Sequence, residues 1–239
     1  MAVTWTSTST PGTGGGATTL TSGSLNASAG TDQCLVAGTC SSTATAVTPT
    51  GITWDVPTPE NLTSVASNTE GGFFGCSLFR IVGFTQATDT VTATWSSAPD
   101  ESCITVHEFE GVDQTTPIGN TGVDQNTGNA TVTVSLTGVT SNDMCIDSLG
   151  TDTSDGTPVP AVGANQTERT DIESVGTYSM NLNMSTQAGS DGGVMTYSNT
   201  DANANQVYCA AVIKAAAVSG LSIPVAMNSY RQRHNFSLG

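Results

Sequence analysis

Residues 89–97 read DTVTATWSS, an alternation that puts Val91, Ala93 and Trp95 on one side of an extended chain and Thr90, Thr92 and Thr94 on the other. Successive side chains of a strand point to opposite faces, so this stretch makes a half-buried strand with a hydroxyl-bearing outer surface and cannot form a helical stripe. Residues 129–136, NATVTVSL, repeat the pattern with Val132, Val134 and Leu136 against Thr131, Thr133 and Ser135. From residue 20 to residue 215, segments of strand length follow one another, bounded by Gly, Asn, Asp or Pro. The runs of Leu, Glu, Lys and Arg that favour helices are nearly absent. One segment, VYCAAVIKAA at residues 207–216, is apolar on both faces, as a central strand covered by an opposing sheet and by a terminal segment would be. The reading is an all-β chain built as a single β-sandwich or jelly roll. Its 239 residues have room for a sizeable core.

The two ends read differently. Residues 1–19, MAVTWTSTSTPGTGGGATT, show no periodicity and contain a Gly triplet, which predicts an N-terminal arm ahead of a sandwich domain spanning residues 20–215. Trp5 is its candidate anchor, on the domain or on a neighbour. After residue 215 the strand pattern stops, and residues 216–239 place Arg231, Arg233 and His234 among Tyr230 and Phe236. Solvated tails are depleted in aromatic residues. The interleaving predicts a docking tail in which Tyr230 and Phe236 fill apolar pockets while Arg231 and Arg233 meet carboxylates.

Five Lys and Arg against twenty Asp and Glu give a formal charge of −15. Sequence-independent nucleic-acid binding depends on cations that neutralise phosphates, so no direct nucleic-acid partner is expected. No run approaches the ~20 apolar residues that span a bilayer, and the first residues lack the basic start and apolar core of a signal peptide. The expectation is a chain made in a cytoplasm, with no membrane partner. Most of the six cysteines (Cys34, Cys40, Cys76, Cys103, Cys145 and Cys209) sit in apolar runs, where Cys behaves as a small buried hydrophobe. No Cys-x-x-Cys pair occurs and His107 lies far from His234 in sequence, so no zinc site is expected. Cys34 and Cys40 on one straight strand would be ~20 Å apart, too far to bond; which of the others pair is left open.

His107 with Glu108 and Glu110 is the one local group that resembles part of a nucleophilic triad, but adjacent residues of a strand point to opposite faces. No G-x-S-x-G, H-E-x-x-H or phosphate-loop pattern occurs. Residues 150–160 and 189–193 offer oxygen ligands and Gly turns, yet neither follows the twelve-residue calcium loop. The reading is a non-enzymatic chain with no catalytic residues, no metal ligands and no cofactor.

At residues 93–121, ATWSSAPDESCITVHEFEGVDQTTPIGNT, the chain resembles β-sandwich proteins encoded in tailed-bacteriophage genomes. The resemblance runs through DTVTATWSS, CITVHEFEGVDQTTP, NATVTVSL, DMCIDSL, GANQTERT and NQVYCAAVIKAA, and covers roughly residues 20–215. Within GVDQTTP, Gly111, Asp113 and Pro117 are turn residues. The chain departs from the pattern in its strand cysteines and in the His107, Glu108 and Glu110 group. The resemblance implies a sandwich of lectin-like type and a virion structural protein, a capsid decoration or cement protein on the virion surface, bound to the major capsid protein or other virion subunits. It also implies a homo-oligomer, with a trimer as one closed form. The alternative is a carbohydrate-binding or adhesion module of a tail fibre or cell surface, with glycans as partners.

Overall fold

A computed structural model of the chain describes residues 1–27, 29–42, 47–127, 131–152, 160–175, 180–199 and 204–217. Among these residues there is no α-helix. One 3-10 turn, Gly189–Asp191, interrupts a set of antiparallel strands arranged in several open sheets.

The first large sheet has six strands. β1 (Thr4–Thr8) and β2 (Gly12–Gly14) both pair with β12 (Glu101–Glu110), followed by β5 (Cys34–Ser42), β9 (Phe74–Val82) and β8 (Thr63–Glu70). The second has five, in the order β13 (Ile118–Thr127), β20 (Asn205–Ile213), β15 (Met144–Asp152), β18 (Met180–Ala188) and β17 (Gln166–Val175). A smaller sheet joins β3 (Thr19–Thr21), β11 (Val91–Thr94), β6 (Gly51–Trp54) and β7 (Glu60–Asn61), and β4 (Leu25–Asn26) pairs with β10 (Thr88–Asp89). The last sheet is β14 (Thr131–Ser135), β19 (Val194–Asn199) and β16 (Pro160–Val162).

Three apolar clusters order these sheets as layers. The pleat of β5 sends Cys34, Val36 and Cys40 into one cluster and Leu35 and Ala37 into another. The first and largest cluster lies between the two large sheets, where Cys76 and Leu78 of β9 meet Leu182 and Met184 of β18 and Val207, Cys209 and Ala211 of β20. The second packs Leu35, Ala37, Ile104 and Val106 against Ile52, Trp54, Val91 and Ala93. The third packs Cys145, Leu149, Tyr208, Ala210 and Val212 against Val132, Val134, Met195 and Tyr197. The order is small sheet, large sheet, large sheet, small sheet. Each aliphatic side chain so enclosed contributes roughly 1.5–3 kcal/mol relative to exposure, and the strands covered on both sides, such as β5 and β20, are buried along both faces. Among the described residues, the outer cover of β20 is the β14, β19 and β16 sheet, where the sequence had pointed to a terminal segment.

The central interface is unusually close where glycines stand. A Cβ on Gly38 of β5 would run into the Met184 side chain, and one on Gly150 of β15 would lie 2.9 Å from Phe74 Cζ and 3.1 Å from Cys40 Cβ.

Residues 4–14, taken from the sequence as arm, lie on the edge of the first large sheet. Thr4 is opposite Glu110 and Trp5 opposite Phe109, Val3 is buried, and the Met1 ammonium donates to Ala216 O at 3.2 Å. β12 supplies the backbone partners, so these Thr- and Ser-rich strands need no hydrophobic pattern of their own. The proposed tail falls, from residue 218 on, outside the described residues.

Candidate functional site

The residues singled out from the sequence converge on β12, and its pleat separates them. His107 points toward the second large sheet and is fully buried. Trp5 Nε1–H donates to His107 Nδ1 at 3.2 Å. Because indole nitrogen only donates, this bond leaves the proton of the neutral imidazole on Nε2, which donates to Thr170 Oγ1 at 3.0 Å. Burial, with the Arg169 charge nearby, pulls His107 down to about 3, so the ring is neutral. The Arg169 guanidinium lies 4.2 Å from the Trp5 ring centre, and its Nε donates to Thr186 Oγ1 at 2.9 Å. Trp5, the expected anchor, is thus anchored on its own domain. It ties the edge strand β1 to β17 of the opposing sheet.

Glu108 turns the other way. Its carboxylate, nearly inaccessible to solvent, accepts from Ser7 Oγ at 2.8 Å, Thr6 Oγ1 at 3.1 Å and Gln33 Nε2 at 2.6 Å. Gln33 Oε1 in turn accepts from Gln86 Nε2. The buried carboxylate therefore orients one amide, which orients a second at the wall of a pocket of about 160 Å³. Gln114, Asp32, Phe84, Gly30 and Gly83 complete the lining. Its chemistry is that of hydrogen-bond donors and acceptors over one apolar ring.

Gln114 belongs to the GVDQTTP stretch, which splices β12 of the first large sheet to β13 of the second. Gly111 takes a φ of +73°, and a Cβ there would lie 2.6 Å from Ala2 O, so the turn requires glycine. Val112 bridges to Ala215, and Asp113 N donates to Lys214 O at 2.9 Å. Asp113 Oδ1 accepts from the backbone N–H of Thr116 at 3.0 Å and of Thr115 at 2.8 Å, bonds that hold this exposed carboxyl below its usual range. The stretch therefore fastens the end of β20 to the junction. Asp143 continues the fastening by accepting from Lys214 Nζ and from Ala215 N. Burial pushes the Asp143 carboxyl up, but the Lys214 partner and the Ala215 and Thr140 N–H groups outweigh it and leave it lowered.

A second buried polar centre lies between β15 and the outer three-stranded sheet. Asp147 accepts from Tyr208 OH at 2.7 Å, Ser185 Oγ at 2.7 Å and Ser185 N at 2.6 Å, while Gln166 Nε2 donates to Ser185 Oγ at 2.8 Å. Tyr197 stands edge-on to Tyr208 with ring centres 5.7 Å apart. Burial raises Asp147 to about 7, against the lowering effect of the Ser185 and Tyr208 bonds. Sequence reading passed over Asp147, Gln33 and Gln86. The one signal was the inward parity of Asp147 in DMCIDSL, whereas its partners lie up to 61 residues away.

All six cysteines are buried and free, with Cys34 and Cys40 on the same strand. Burial pushes Cys34 and Cys145 up to about 12. Among the described residues no group of three or more His, Cys, Asp or Glu is placed to hold a metal ion, and no helix is long and apolar enough to cross a membrane. Tyr230, Arg231, Arg233, His234 and Phe236 lie outside the described residues. Comparison with protein-family models, curated proteins and solved structures finds no match to the chain.

Proposed function

We propose that the chain is a non-enzymatic structural protein of a tailed-phage particle, a capsid decoration or cement protein on the particle surface, attached through residues 216–239. The observation that carries this reading is the separation of charge about one exit point. Residues 1–215 hold all twenty carboxylates and three of the five cations, a formal charge of −17, whereas residues 216–239 carry +2 and no acid. Ala216, the first residue of that segment, lies beside the start of the chain, with the Met1 ammonium donating to its carbonyl oxygen. A body whose charge repels its copies and a terminal sequence that interleaves cations with aromatic residues are the parts a surface-mounted subunit needs. The outward faces support it: Thr53, Thr90 and Thr92 bond to Asp55, and Thr133 meets Thr196 at 3.2 Å, which makes well-satisfied, hydroxyl-rich surfaces. The resemblance to phage-encoded sandwich proteins points the same way. The partners on this reading are the major capsid protein or other virion subunits, and further copies of the chain about a closed axis, such as a trimer, multiply the weak attachments.

A second reading, a carbohydrate-binding or adhesion module, is favoured by the pocket of Gln33, Gln86, Gln114 and Phe84. Binding on a glycan array that disappears in Gln86→Ala would select it.

The attachment is tested by deleting residues 221–239. The truncated protein is expected to stay soluble with an unchanged circular dichroism spectrum and to be missing from particles assembled in its presence. Incorporation at the normal level would refute attachment through this segment.

A further inference from the structure

Cys103, Cys40 and Cys76 stand opposite one another on β12, β5 and β9, and all three face the cluster between the large sheets. Cys209 of β20 faces them from the other sheet. The Cys76 thiol donates to Cys209 Sγ at 3.4 Å, and the Cys209 thiol donates onward to Ser148 O at 3.8 Å. We propose that Cys76 and Cys209 are an oxidisable pair whose disulfide cross-links the two large sheets, and with them the first and second halves of the chain.

The Cys76–Cys209 contact joins sulfur to sulfur across the two large sheets. A disulfide bond is ~2.05 Å long, so the sulfurs must approach by roughly 1.4 Å, and Cα atoms of β9 and β20 already come within 8 Å of one another. Cys40 also meets Cys103 on the neighbouring strand, so a link within the first large sheet is the competing product. Cys34 and Cys40 share a strand, and Cys145 faces the outer cluster. Cys40 donates its thiol to Asn181 O at 3.4 Å. Cys103, Cys40 and Cys76 form a line across three strands spaced ~4.8 Å, which places the outer two far beyond the S···S separation of a tetrahedral thiolate site. The bond would close a loop between residues 133 apart in sequence, which restricts the unfolded chain strongly.

The oxidant is a low-molecular-weight disulfide. One cysteine thiolate attacks it and releases one small thiol, and the second cysteine displaces the other. The two cysteines lose two protons and two electrons, and the oxidant becomes two thiols. Burial holds Cys209 well above the usual thiol range, so the reaction proceeds when the sheets open. The pair therefore stays reduced in a cytoplasm and closes in an oxidising medium.

The test uses the reduced full-length chain, incubated with oxidised glutathione just below its unfolding temperature, alkylated under denaturing conditions, digested and analysed by mass spectrometry. The expected product is a peptide linking Cys76 to Cys209 with the other four cysteines alkylated. The melting temperature should rise by roughly 5–15 °C, reversibly with dithiothreitol. That rise should persist in Cys34→Ala and vanish in Cys209→Ala. Alkylation or glutathionylation of all six cysteines, a dominant Cys40 to Cys103 link, or an undiminished rise in Cys209→Ala would overturn the assignment.

Discussion

His107 and Asp147 are both fully buried, and burial moves them in opposite senses. His107, near 3 when folded, lies below its ordinary 6.5, so its contribution to stability is complete above about pH 6.5 and is lost as pH falls toward 3. Asp147, near 7 when folded, lies above its ordinary 3.8. There the folded state keeps a proton that the unfolded chain has released, and stability is lost as pH rises from about 4 to 7. Between about pH 4 and 6.5 the two slopes oppose one another, each at most about 1.4 kcal/mol per pH unit. Urea unfolding at about pH 4.5 and pH 6.5 separates them. Relative to the parent protein, Asp147→Asn should gain stability with rising pH and His107→Gln should lose it. Parallel curves for all three proteins would show that neither group is held as described. Trp5→Phe keeps a ring under Arg169 but removes the donor to His107 Nδ1, and should cost roughly 1 kcal/mol. Trp5→Ala should cost roughly 2–3 kcal/mol because the packing is lost as well. At this scale the sequence was informative about direction only. The opposite orientation of His107 and Glu108 follows from strand parity, whereas the partners Thr170, Gln33 and Ser185 come from segments that no local pattern connects.

Strands were legible where one face is wet. Val91, Ala93, Val132 and Val134 are buried while Thr131 and Thr133 are exposed, as their alternation requires. Where both faces are dry the pattern records burial but not the cover, so the layering of four sheets was not readable from β5, β15 or β20. β1 and β2 carry no strand signal of their own, because edge strands of Thr, Ser and Gly take their order from β12. The packing around Gly150 yields a prediction with an internal control. Gly150→Ala pushes a methyl against Phe74 and Cys40 and should lower stability by roughly 1–3 kcal/mol, measured by urea midpoint. Gly51→Ala, on the outer β6 with nothing within 4 Å of its Cβ position, should be neutral or slightly stabilising. Equal costs at the two positions would contradict the tight packing between the large sheets.

The molecule as a whole joins an acidic stack of sheets to a C-terminal sequence that is basic, and its proposed role depends on that division of charge. Attachment led by Arg231 and Arg233 should weaken with ionic strength, since exposed charges are screened over ~8–10 Å at physiological salt. Raising salt should release the protein before the stack unfolds, as followed by sedimentation of particles alongside circular dichroism. Arg231→Glu with Arg233→Glu should abolish attachment without changing the melting temperature. Most direct is to ask where the protein resides. Mass spectrometry of purified tailed-phage particles carrying this gene, with cryo-EM of the same preparation, should find the chain in stoichiometric copies as density on the outer capsid surface. Its absence from purified particles, with the protein recovered instead in host cell envelopes, would contradict the account.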